Sequence, residues 1–117
     1  MGLTFIEGVL TGPTGAQRTL QFLVDNGAAY SLVPHETWQA IGLSPKKTMT
    51  FTLADGSHVE RQISECHIAI AGEEGHTPVI LGEPGDEPLL GVVTLENLGL
   101  VLDPFKRELR AMHMRLG

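Results

Sequence analysis

Three apolar residues, Phe22-Leu23-Val24, deliver a carboxylate, Asp25, to the turn pair Asn26-Gly27, and a mostly apolar segment from Ala28 to Pro34 leads away from it. A carboxylate in apolar surroundings is costly unless it is hydrogen-bonded or partnered, so its position asks for a reason. The bland reason is an Asp that caps a β-turn. The chemical reason is acid–base work on a water molecule, which takes two carboxylates sharing one proton, one acting as base and the other as acid. Like charges about 3 Å apart cannot both ionise cheaply, which is why such a pair holds a proton between them. Elsewhere Asp55-Gly56 carries a hairpin signal, and Asp86 and Asp103 fall in a loop and at a strand end. One chain therefore offers a single carboxylate in a suitable setting.

Other chemistries lack their residues. His35, His58, His67, His76 and His113 show neither i, i+4 nor Cys-x-x-Cys spacing, so no metal site is expected. On a strand, Cys66 and His67 point to opposite faces. Ser31 is not in a Gly-x-Ser-x-Gly elbow, and Gly12 to Gly15 lacks the Lys-Ser/Thr of a phosphate loop, so no cofactor is expected either. The lone Cys66 cannot form an intrachain disulfide and reads as a small core residue of a reducing compartment. A net charge of −6 without a basic cluster argues against nucleic acid. No apolar stretch nears the roughly 18 to 20 residues that span a bilayer, and the first residues have no basic start before an apolar run. A cytoplasmic protein with no membrane partner is the expectation.

The elements that must hold Asp25 follow from punctuation. With 117 residues, 42% of them hydrophobic, the chain fits one domain over residues 1–117. Gly and Pro separate short runs of Val, Ile, Leu, Thr and Phe, the pattern of a mainly β domain. Thr4 to Thr11 and Gln17 to Val24 flank Gly12-Pro13-Thr14-Gly15 as a first hairpin, and Glu36 to Ile41 fits one helical turn after Pro34. Lys47 to Leu53 and Ser57 to Ile63 flank Asp55-Gly56; Ser64 to Ile70 continues as strand, Gly72 to Gly75 turns, and Thr77 to Leu81 returns. Gly82 to Pro88 is a loop. Leu89-Leu90-Gly91 precede a helical spacing over Val92 to Leu98 that Gly99 stops, and Leu100 to Leu102 and Glu108 to Met112 close the chain as strands.

An apolar strand into Asp25-Asn26-Gly27-Ala28, then a turn-tipped hairpin, then Leu89-Leu90-Gly91 before a helix and Gly99-Leu100-Val101-Leu102-Asp103, resembles the retropepsin family. It is closer still to the small retroviral-like aspartic proteases of bacteria. The resemblance runs over roughly residues 4 to 112 and rests on order and spacing rather than on either motif alone. It implies an all-β fold: a closed β-barrel that is half of an acid protease, with one short C-terminal helix, completed as a two-fold homodimer. It implies Asp25 as the catalytic carboxylate, Asn26, Gly27 and Ala28 as the active-site loop, and Ala54, Asp55, Gly56 and Ser57 as the tip of a flap. Leu89, Leu90 and Gly91 become support beneath the loop. The substrate becomes an extended peptide or protein added as a β-strand, and Leu3 to Ile6 and Arg110 to Met114 become strands interleaved between subunits.

One position departs from that pattern. Where active members carry Thr or Ser, whose hydroxyl reaches across the dimer, this chain has Asn26. Asn can hydrogen-bond there, but its planar amide is larger than a rotatable hydroxyl. Two readings stand side by side: an aspartic endopeptidase with altered dimer strength, and a weakened or inactive dimer of the same fold that binds peptides without cutting them.

Overall fold

The computed structural model describes residues 3–113 and 116. In chain order the elements are β1 (Phe5–Thr11), β2 (Gln17–Val24), β3 (Ser31–Val33), α1 (His35–Ala40), β4 (Lys47–Thr52), β5 (His58–Ile70), β6 (Glu73–Leu81), β7 (Leu89–Leu90), α2 (Val92–Asn97), β8 (Leu100–Asp103) and β9 (Glu108–Ala111). The barrel follows from the pairing order β1-β2-β7-β3-β6-β5, because β5 also pairs with β1 and closes the circle, while β4 hangs on the outside of β5. Closure removes sheet edges and encloses a core.

Alternation writes that core. Cys66, Ile68 and Ile70 of β5 and Thr77, Val79 and Leu81 of β6 are buried, with Glu65, Glu74 and His76 outside. Leu10, Phe22, Val33, Ile41 and Leu90 meet them at the centre, where each has no exposed surface. Burying a side chain of this size contributes about 1.5–3 kcal/mol. The long strand β5 has two tasks. From His58 to Ile63 it pairs with β4 as a projecting hairpin, and from Ile63 to Ile70 it pairs with β6 inside the barrel. The handover falls at Ile63-Ser64, where two successive residues are buried and the period of two breaks.

Two sequence expectations shift. The turn expected over Gly72 to Gly75 is instead Ala71-Gly72, both at positive φ (52° and 81°), and β6 already starts at Glu73. A two-residue turn of this kind matches the twist of its strands, and that gain holds a residue as ordinary as Ala71 in a left-handed conformation. Besides α2 there is a second helix, α1, which forms at the turn anticipated over Glu36 to Ile41 but begins at His35. The closing strands β8 and β9 form where they are expected and pair antiparallel with each other as a separate two-stranded sheet.

Candidate active site

β2 ends in Val24 and hands the chain to Asp25 at the mouth of the barrel. Val24 is held on one side by Thr4, whose carbonyl accepts its N–H at 2.9 Å. On the other side lies β7, parallel to β2 (Leu23↔Leu89, Val24↔Leu90) and antiparallel to β3 (Leu32↔Leu89). The ladder runs one step past the strand, for the Asp25 N–H donates to the Leu90 carbonyl at 3.0 Å. The chain then turns: Ala28 N–H donates to the Asp25 carbonyl at 3.1 Å, and Gly27 N–H donates to Asp25 Oδ1 at 2.8 Å. Asp25 Oδ2 has no hydrogen bond among the described residues, and Asp25 is half-buried beside an exposed Asn26. A carboxylate with one oxygen fixed by the backbone and the other free can exchange a proton with a bound water or a second acid.

α2 clamps the other side of the loop. Its first N–H groups have no partner inside a helix, and they go to the loop: Val92 N–H donates to the Ala28 carbonyl and Val93 N–H to the Ala29 carbonyl, both at 2.9 Å. This approach is why position 91 is glycine. A Cβ there would stand 2.6 Å from the Tyr30 carbonyl carbon and oxygen and 2.7 Å from the Ala29 oxygen, inside main-chain atoms.

The expected loop and support residues are thus brought together: Asp25, Gly27 and Ala28 share hydrogen bonds with each other, Leu90, and α2 just beyond Gly91. Leu90 is buried in the barrel, and Leu89 is half-buried between β2 and β3. Ala54, Asp55, Gly56 and Ser57 lie apart, exposed at the tip of the β4–β5 hairpin. The tip carries its own hydrogen bonds. Leu53 N–H donates to the Ser57 carbonyl, Gly56 sits at φ 87°, and Asp55 Oδ1 accepts both the hydroxyl and the N–H of Ser57, at 2.6 and 2.9 Å. Those donors hold the Asp55 carboxyl below its ordinary range, the Ser57 hydroxyl contributing most. The hairpin meets the loop side of the molecule through its stem, where Phe51 packs edge-on against Tyr30 with ring centroids 6.2 Å apart.

Sequence reasoning missed three buried hydroxyls under this site. Ser31 Oγ, Thr94 Oγ1 and Thr77 Oγ1 are linked at 2.6 and 2.7 Å, and Gly91 N–H donates to Ser31 Oγ at 2.9 Å. By sequence motif Ser31 stands out only as a possible nucleophile. Nothing in the spacing of three scattered Ser and Thr residues marks them as neighbours. No group of three or more His, Cys, Asp or Glu that could hold a metal ion occurs among the described residues, and no helix there is long and apolar enough to cross a membrane. Met114, the end of one strand expected between subunits, lies outside the described residues.

No curated protein sequence matches this chain. Among solved structures, the solution structure of the simian foamy virus (mac) protease is similar in fold, with a TM-score of 0.57 over 79% of this chain and 91% of that chain, at 18% sequence identity. Residues 14–97, well over half of the sequence and including both the Asp25 loop and β7, match a family of retroviral-type proteases. An apolar strand ending in a hydrogen-bonded Asp-x-Gly turn, a projecting hairpin and a helix clamped on the turn agree with that match, and the chain belongs to the family described as "gag-polyprotein putative aspartyl protease".

Proposed function

We propose that the chain is one subunit of a homodimeric aspartic endopeptidase in which Asp25 and the same residue of a second copy form the catalytic dyad. The observation that carries this reading is the state of Asp25: amide on Leu90, Oδ1 on Gly27 N–H, Oδ2 free. Between two such carboxylates one proton and one water are held. The ionised carboxylate takes a proton from the water as its oxygen attacks the scissile carbonyl carbon, and the protonated one gives its proton to the carbonyl oxygen. Collapse of the tetrahedral intermediate transfers a proton to the amine nitrogen, breaks the C–N bond and returns the dyad to its singly protonated state.

Surface features favour a second copy as the source of the other carboxylate. Leu3 and Phe5 are 67% and 55% exposed where the chain enters β1 beside the Asp25 strand. β5 pairs only with Gly8 to Thr11 of β1, so the edge of Phe5 to Glu7 away from β2 carries no ladder among the described residues. Apolar side chains beside an open edge suit strand addition across a two-fold axis. In the same reading the β4–β5 hairpin is a flap that closes on an extended peptide and excludes water, with Leu53, 46% exposed, beside its tip. Asn26 stands exposed next to Asp25, where it would face the partner loop.

The test is hydrolysis of an unfolded protein between roughly pH 4 and 7, run on this chain, Asp25→Ala and Asn26→Thr, with the solution mass of each. Cutting that vanishes in Asp25→Ala is the expected result, with a dimer as the active species. Cutting only by Asn26→Thr means residue 26 disables an otherwise competent site. A strict monomer at high concentration, or silence in all three, refutes the peptidase and leaves a binding fold.

A further inference from the structure

We infer that Thr94 is a positioning residue for Asp25, acting through a one-way chain of hydrogen bonds that runs from Gly91 beneath the catalytic loop to the wall of the barrel. The inference rests on the peptidase reading for its functional meaning, but its geometry stands without it.

The direction of the chain can be worked out from donors and acceptors alone. Gly91 N–H donates to Ser31 Oγ at 2.9 Å, so that oxygen is already an acceptor. The Ser31 hydroxyl proton then has one partner within reach, Thr94 Oγ1 at 2.6 Å. Thr94, having accepted there, must donate to Thr77 Oγ1 at 2.7 Å. Thr77 in turn donates to the Pro78 carbonyl at 3.3 Å. Reversing any link leaves a buried hydroxyl proton with nowhere to go, because a hydroxyl has one proton to give. Ser31, Thr77 and Thr94 are at most 1% exposed, so water cannot stand in. Hydrogen bonds aligned this way polarise one another, and an interior of low dielectric strengthens each.

What the chain connects gives it a role beyond filling the core. Its first donor, Gly91, directly follows Leu90, whose carbonyl holds the Asp25 amide. Its second member, Ser31, begins β3, the strand into which the Asp25 loop runs. Its last, Thr77, lies on β6 opposite Cys66 of β5, in the rigid wall of the barrel. Thr94 sits on α2, whose first N–H groups clamp Ala28 and Ala29. It alone touches hydroxyls on both sides, so it ties loop, helix and wall at one point. α2 gains no side-chain cap from its own N-cap residue, Gly91, and Ser31 supplies the acceptor for that residue's N–H instead.

The experiment uses the full chain and three variants: Thr94→Val, which keeps the shape and deletes the hydroxyl, Thr94→Ser, which keeps the hydroxyl, and Ser31→Ala, which removes the chain's first acceptor. Amide hydrogen exchange is read without substrate. In Thr94→Val and Ser31→Ala the amides of Asp25, Ala28, Gly91, Val92 and Val93 are expected to exchange at least about tenfold faster than in the parent, with barrel amides such as Leu10 and Ile68 unmoved, and Thr94→Ser is expected to restore most of the protection. On a peptide substrate kcat of Thr94→Val falls about 10- to 100-fold with KM little changed, again restored in Thr94→Ser. Unchanged exchange at the five amides overturns the inference. So does faster exchange in proportion everywhere, or outright unfolding of both hydroxyl-deleting variants, since the hydroxyls would then hold the barrel at large. If neither the parent chain nor Asn26→Thr cuts but the local pattern appears, the peptidase reading falls and the positioning role of Thr94 survives.

Discussion

Gly91→Ala puts the packing of α2 on the Asp25 loop to a direct test. The added Cβ would stand 2.6 Å from the carbonyl carbon and oxygen of Tyr30, where ordinary contact begins at 3.4 Å. The atoms it meets belong to the main chain, so no rotamer relieves the overlap, and the two segments must part by roughly 0.8 Å in a close-packed interior. Parting stretches the bonds from Val92 to Ala28 and from Val93 to Ala29, both 2.9 Å, and loosens Asp25 on Leu90, now 3.0 Å. Overpacking costs about 1–3 kcal/mol, and weakening two or three backbone hydrogen bonds adds roughly 1 kcal/mol. A loss of about 2–4 kcal/mol is a large share of the 5–15 kcal/mol that commonly holds a domain together. In catalysis, misplacement approaching 1 Å is worth on the order of 100-fold in rate. Urea unfolding gives the first quantity and hydrolysis at saturating peptide the second. Gly75→Ala is the control: its Cβ meets Leu98 Cδ2 at 3.4 Å, the end of a flexible side chain, so stability stays within about 1 kcal/mol and activity is kept. If Gly91→Ala proves as stable and as active as Gly75→Ala, α2 does not grip the loop as described.

Burial pushes the Cys66 thiol up from 9.0 to about 12, so alkylation by iodoacetamide near pH 8 should be negligible in the folded protein and complete in guanidinium. Because that folded value lies above the unfolded one, Cys66 contributes stability that is present below about pH 9 and lost as pH climbs toward 12; Cys66→Ala should flatten the alkaline arm of a stability–pH curve. The Lys106 N–H, with smaller help from the Phe105 N–H and Arg110, holds the Asp103 carboxyl below its reference of 3.8. Its contribution is therefore present above that value and lost as pH falls through the lower folded one, so Asp103→Asn should weaken acid dependence below about pH 4, read by urea midpoints across pH. Trp38→Phe removes the indole N–H that donates to the Gly82 carbonyl at 2.8 Å, and should cost about 1–2 kcal/mol in urea unfolding.

Much of this protein is legible in the order of its residues. Alternating apolar residues in β2, β5 and β6 dictate which side faces inward, since a strand repeats every two residues and one face must leave water. Turn chemistry is equally local: Asp55-Gly56 specifies its hairpin through a carboxylate that binds Ser57 and a glycine at positive φ. The setting of Asp25, an apolar strand broken by Asn26-Gly27, could likewise be read directly, because an isolated carboxylate there has an energetic cost that demands a cause. Local signals are weak at two places: Ala71 is not a turn residue by type, and β7 is two residues long, held as a strand only because β2 and β3 flank it. What tertiary structure alone decided is what meets Asp25. That Gly91 must be glycine depends on Tyr30 and Ala29 lying against it, and that Ser31, Thr77 and Thr94 form one chain depends on three elements converging. Hydrogen bonds and steric exclusion act over a few ångströms in space, whatever the distance along the chain, and no local pattern in the sequence records them.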